Sequence, residues 1–113
     1  MKRGEIYYAN LSPTVGFEIN KKRPVLIVSN DANNRAASTV TVLPITSNIS
    51  NVYPFEIKLS RADSGLPKDS KAQAQQIRTI SKERIPNGAI GKIGVAKMRL
   101  VDAAMRMHLG LNG

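Results

Sequence analysis

With 113 residues, 17 Lys plus Arg against 8 Asp plus Glu and a formal charge of +9, the chain is long enough for one domain with its own core. It is also basic enough that a polyanion is its expected partner: nucleic acid first, an acidic protein by the same field. The absence of cysteine excludes disulfide frameworks, thiolate nucleophiles and cysteine-based zinc sites, and fits a cytoplasmic location. The opening MKRGEIYYANLS is basic, but Glu5 and Asn10 interrupt any signal-peptide core. No run approaches the roughly 20 apolar residues of a membrane span, so no membrane role is expected.

Residues 5–11 (EIYYANL) read as a first strand, stopped by Ser12-Pro13. Tyr7 and Tyr8 fall on opposite faces, so one belongs to the core and the other is left for a binding groove or a partner. A loop of about a dozen residues, 12–23, follows, and that length marks it for function. The second strand, 24–29, contains Val25-Leu26-Ile27-Val28, the β-branched run of a strand buried on both faces. Core burial does not explain Lys21, Lys22 and Arg23 at its mouth. The turn-rich NDANN at 30–34 ends it.

The alternating TVTVL at 39–43 is a third strand, with PITSN at 44–48 running out of its end. In the fourth, 53–59, Phe55, Ile57 and Leu59 take one face and Glu56 and Lys58 the other. Residues 60–71, with Gly65 and Pro67, read as surface loop. Residues 72–80 mix helix-favouring Ala and Gln with the alternating QIRTI and are read as strand. Val95, Met98, Val101, Met105 and Leu109 then recur at helical spacing between Gly94 and Gly110, a helix of about four turns. The expected fold is mainly β (α+β): one domain over 1–113, a strongly curved antiparallel sheet or small SH3-like barrel with a C-terminal α-helix.

Subtraction narrows the chemistry. His108, the only histidine, lies inside the predicted helix, so a two-histidine ribonuclease mechanism is excluded. The eight carboxylates show no paired spacing of the kind that holds a metal in nucleases, and phosphate-loop, GxSxG and HExxH motifs are absent. An enzyme built from Arg, Thr, Ser and Glu suits attack of an RNA 2′-hydroxyl on its adjacent phosphate. There the substrate brings the nucleophile, and the protein supplies geometry and charge stabilisation.

The chain resembles the MazF/PemK (Kid) toxins of type II toxin-antitoxin systems nearly end to end. Lys2-Arg3-Gly4-Glu5-Ile6-Tyr7, Leu11-Ser12-Pro13 with Gly16-Phe17-Glu18, and Lys22-Arg23-Pro24-Val25-Leu26-Ile27-Val28-Ser29-Asn30 match in order. So do Val42-Leu43-Pro44-Ile45-Thr46-Ser47, Tyr53-Pro54-Phe55-Glu56-Ile57 and Gln75-Gln76-Ile77-Arg78-Thr79-Ile80. The resemblance implies a homodimer that cleaves single-stranded RNA, mostly mRNA, at a short recognition sequence, with no metal or cofactor. It implies neutralisation by an acidic cognate antitoxin, through which alone DNA is met.

Arg23 falls on the family's catalytic arginine, where it would stabilise the phosphorane, and Thr46 on its catalytic threonine. Glu18 flanks the site as general base or as counter-ion to Arg23 and Lys22. The implied RNA-binding set is Tyr8, Phe17, Lys21, Lys22, Asn30, Asn34, Ser47, Gln75, Gln76 and Arg78. Lys21, Lys22 and Arg35 are cations suited to phosphates. Phe17 stands where the family commonly has serine, and is able to stack on an unpaired base for roughly 1–3 kcal/mol. A second reading on the same scaffold is a CcdB-like toxin that binds DNA gyrase and cuts nothing.

Overall fold

The computed structural model describes residues 1–13, 15–17 and 21–111. The central strand is β3 (Thr39–Thr46), and its partners explain the curl of the sheet. Along one edge it pairs with β2 (Lys22–Ile27), which continues to β1 (Glu5–Asn10) and the short β7 (Gly91–Lys92). Along the other edge its first half pairs with β6 (Arg78–Ser81) and its last two residues with β5 (Ser70–Gln73), which carries β4 (Glu56–Leu59). The result is an antiparallel half-barrel closed by the C-terminal helix α3 (Val95–Leu109).

The third strand is longer than its TVTVL core suggested, because Pro44 sits inside it at no cost. Thr41 turns its N–H and C=O towards the β2 side. Alternation therefore aims the Pro44 nitrogen at the opposite edge, between the last β6 partner (Val42↔Arg78) and the first β5 partner (Ile45↔Ala72). No ladder bond is due there, so the missing N–H is not felt.

Val25 to Val28 are buried on both faces, as their composition predicted. Leu26 and Val28 enter a cluster with Ile6, Leu43, Ile45, Leu59, Val101 and Ala104, which α3 covers. Val25 and Ile27 enter the cluster on the other face, with Tyr7, Ala9, Val40, Val42 and Ile80. The two tyrosines divide as expected: Tyr7 is buried and Tyr8 only partly so. The Tyr7 hydroxyl donates to Glu5 Oε1 at 2.8 Å, and burial together with that bond pushes its pKa up to about 12.

Several expectations are corrected. Residues 31–36 are not turn but a short helix, α1 (Asp31–Ala36), because the Asn30 side chain accepts the Asn33 N–H at 2.8 Å and caps its first turn. The stretch 60–71 is not plain surface loop: Ser60 and Asp63 form a capping box on α2 (Arg61–Ser64), and Leu66, Ser70 and Lys71 are buried. The strand read over 72–80 is broken by a 3-10 turn, Ala74–Gln76, where the chain leaves one half of β3 for the other. In α3, Val101 and Ala104 carry the core contact, Met98 and Met105 pack beside them, and Val95 and Leu109 stay exposed. Among the described residues no helix is long and apolar enough to cross a membrane.

Candidate functional site

Strand register brings the key residues to one end of the sheet. Antiparallel pairing of Ile27↔Val42, Leu26↔Leu43 and Val25↔Pro44 ends there, so Arg23 and Thr46 each lie two residues past the last pair, at the same end of the two strands. On its other side β2 pairs Pro24 with Tyr8, Arg23 with Ala9 and Lys22 with Asn10. The second strand begins at Lys22, earlier than the run 24–29 suggested, so Arg23 is half-buried within a strand and its backbone is fixed on the β1 side.

A cavity of about 180 Å³ opens here, lined by Tyr8, Lys22, Arg23, Pro24, Ile45, Ser47, Leu66, Pro67, Lys68 and Ser70. Among these described residues three are cations and none is a carboxylate, so they make the mouth electropositive and suited to a phosphate backbone. Lys68 was not singled out from sequence, since it joins the others only through the α2–β5 connection. Lys21 lies just outside, exposed and in a left-handed conformation (φ 69°), with its N–H donating to Ser12 Oγ at 2.8 Å.

Thr46 itself faces away from this cavity, while its neighbours Ile45 and Ser47 line it. Its Oγ1 accepts the Asn48 N–H at 3.2 Å, which leaves the hydroxyl proton for another acceptor such as a phosphate oxygen. Directly across from it on β5 is Lys71. The Lys71 ammonium is buried, 7 % exposed, and donates to Glu56 Oε1 at 2.9 Å and to the Asn51 carbonyl at 2.6 Å.

Glu56 was expected on a solvent face, yet it is 5 % exposed and organises this corner. Its Oε2 accepts from Gln73 Nε2 at 3.0 Å and Gln75 Nε2 at 2.7 Å, and its Oε1 from the Tyr53 N–H at 3.0 Å. Burial alone would raise its pKa, but the Tyr53 N–H, the two amides and the Lys71 ammonium together outweigh it and hold the pKa at about 2. A folded-state pKa depressed from the usual 4.5 contributes stability that is complete above that value and is lost as the pH falls towards about 2. Acid titration followed by circular dichroism should therefore show stability falling by up to roughly 3 kcal/mol over that window. In a Glu56→Gln, Lys71→Met chain this component should be absent.

The remaining expected RNA contacts separate. Ser47, Lys22 and Tyr8 line the cavity beside Arg23, and Phe17 is fully exposed in the first loop. Gln75 and Gln76 lie in the 3-10 turn and not on a strand, with the Gln75 amide nitrogen committed to Glu56. Arg78 donates to the Leu11 carbonyl at 3.3 Å, and Arg84, missed from sequence, to the carbonyls of Asn10 and Ser12 at 2.9 and 2.6 Å. These two arginines hold the base of the first loop.

Asn34 does not face RNA: it is 2 % exposed, and its amide donates to the Ser29 carbonyl at 2.8 Å. Asn30 is spent on the α1 cap, past the far end of β2 from Arg23, and Arg35 lies on the same distant helix. Glu18 lies outside the described residues. Among the described residues no group of three or more His, Asp or Glu side chains is placed to hold a metal ion.

Residues 2–109 match the family described as PemK-like, MazF-like toxin of type II toxin-antitoxin system. The endoribonuclease MazF9 of Mycobacterium tuberculosis is 45 % identical over 116 residues, covering 98 % of this chain and 98 % of its own. The endoribonuclease EndoA of Bacillus subtilis is 38 % identical over 112 residues, covering 98 % and 96 %. Among solved structures, a mycobacterial endoribonuclease in complex with its cognate antitoxin superposes with a TM-score of 0.81 at 26 % identity, over 100 % of this chain and 98 % of that one. MazF from Deinococcus radiodurans, 22 % identical over 98 % of this chain and 97 % of its own, shares the fold with a TM-score of 0.85.

Proposed function

The chain belongs to the PemK-like, MazF-like toxin family and is an endoribonuclease toxin; from that premise we propose that it cleaves single-stranded RNA, mostly mRNA, at the β2–β3 strand ends, without a metal or other cofactor. The observation that carries this reading is that β2 and β3 bring Arg23 and Thr46 to the same end of the sheet, at a cavity whose described lining holds three cations and no carboxylate. In the proposed step the 2′-oxygen bonds to phosphorus and the P–O5′ bond breaks, leaving a 2′,3′-cyclic phosphate and a 5′-hydroxyl. The 2′-hydroxyl loses its proton and the departing 5′-oxygen gains one.

Arg23 presents a planar fork of donors to the non-bridging oxygens, where charge grows in the transition state. A guanidinium carries five donors and no acceptor, so its part is charge stabilisation and delivery of a hydrogen bond to the leaving oxygen. The Thr46 hydroxyl orients the phosphate or the 2′-hydroxyl. Glu18 supplies the carboxylate of the site, as counter-ion to Arg23 or as acceptor of the 2′-proton, two roles that are compatible. Lys21, Lys22 and Lys68 hold the backbone, a salt-dependent contribution that selects no sequence. Tyr8, Phe17 and Ser47 flank the bases. Cutting of an unstructured RNA in excess EDTA tests this reading, and intact RNA in every sequence context would sink it.

The CcdB-like, gyrase-binding alternative is set aside, since the relatives at 45 % and 38 % identity are endoribonucleases. For partners, we propose a homodimer and an acidic antitoxin, with DNA met only through the latter. Ala96, Leu100, Ala103 and Met107 on α3 are all exposed and repeat at spacings of four, three and four, the seam of a helix that meets another apolar surface. The charge of +9 suits a disordered acidic segment that folds as it binds.

A further inference from the structure

Thr46 ends β3, and the chain then runs without strand or helix, and largely exposed, until β4 begins at Glu56. An irregular surface stretch of this kind is ordinarily among the least stable parts of a fold. Yet it starts at the residue proposed to meet the phosphate, and Ser47 lines the cavity beside Arg23. Something has to hold it.

Two sets of bonds do so. At its start Thr46 Oγ1 accepts the Asn48 N–H at 3.2 Å, and Asn48 Oδ1 accepts the Ser50 N–H at 3.3 Å and the Ser50 hydroxyl at 2.9 Å. Further on, the Asn51 carbonyl accepts from Lys71 Nζ at 2.6 Å, and the Tyr53 N–H donates to Glu56 Oε1 at 3.0 Å. Lys71 is the β5 partner of Thr46, so this anchor lies on the same face of the sheet as the threonine. Glu56 is itself fixed, because Gln73 and Gln75 donate to its other oxygen.

Stability alone does not account for an ion pair buried here, since well-packed apolar side chains of similar volume commonly serve as well or better. What they cannot supply is a donor for a loop carbonyl and an acceptor for a loop N–H. Lys71 and Glu56 supply one of each.

We propose that Glu56 and Lys71 are positioning residues for RNA cleavage: they clamp the segment 47–54 to β5 and, through the Asn48 turn, keep the Thr46 hydroxyl and Ser47 in place for the phosphate. They touch no substrate. The inference rests on the RNA-cleaving reading above and adds what preorganises its site.

The double variant Glu56→Gln, Lys71→Met removes the clamp without stranding a charge, and thermal melting checks its fold. In single-turnover cleavage of one mapped site, its rate at saturating RNA should fall by about ten- to a hundredfold, while the RNA concentration giving half that rate changes by less than about threefold. A second background separates positioning from general loosening. With Thr46→Val already in place, removing the clamp should cost less than about threefold, because both changes act through one hydroxyl. Asn48→Ala is an exposed change that spares the buried pair; it should slow cleavage by about tenfold, and it carries the test if the double variant does not fold. A rate within about twofold of the parent for either folded variant, or an equal loss with and without the Thr46 hydroxyl, overturns this inference alone. Failure of the unaltered protein to cut any RNA overturns it together with the reading on which it rests.

Discussion

Arg23→Ala should lower the rate of RNA cleavage by about 100- to 1,000-fold, the loss typical of removing one preorganised transition-state donor. The protein stays folded, because β2 is held by its backbone ladders to β1 and β3. The size of the effect follows from location. Arg23 is half-buried in a strand, so its guanidinium starts from a fixed backbone. Arg23→Lys keeps the charge but loses the bidentate fork, and recovers only a minor part of the rate. Single-turnover cleavage of one mapped site, with circular dichroism of each variant, makes the comparison. A less than tenfold loss for Arg23→Ala would remove it from the chemistry.

Glu56→Gln should destabilise the fold by about 3–5 kcal/mol, because the Lys71 ammonium is left buried without its counter-charge. The Asn51 carbonyl and the Tyr53 ring remain near it but carry no formal negative charge. Adding Lys71→Met to Glu56→Gln removes the stranded charge and recovers most of the loss, so the two changes are strongly non-additive. Urea unfolding of the two single variants and the double variant measures the coupling. Additivity within about 0.5 kcal/mol would show that the pair is not the hub of this corner.

The parts of this molecule that the sequence made legible are those set by local pattern. Val25 to Val28 announced a strand buried on both faces, and the Gly94 and Gly110 punctuation framed α3. The three cations before Pro24 pointed to the strand mouth where Arg23 and Lys22 do meet a cavity. What stayed hidden depends on pairings far apart in the chain. Glu56 alternates with apolar residues as a solvent-facing residue would, and only β5 and the 51–54 segment bury it. Asn34 resembles any asparagine of a polar loop until Asn30 caps a helix that turns it inward. The split of 72–80 follows from β3 having two partners on one edge, which no local window contains.

The central claim is that Arg23 and Thr46 serve an attack by the RNA's own 2′-hydroxyl. It is tested most directly by placing a single 2′-deoxynucleotide 5′ to the mapped scissile phosphate, in EDTA. The all-ribose substrate should be cut to a 2′,3′-cyclic phosphate and a 5′-hydroxyl, and the singly substituted one should remain intact at that position. Cutting of the deoxy-substituted RNA at the same bond, or products ending in a 5′-phosphate, would contradict the mechanism.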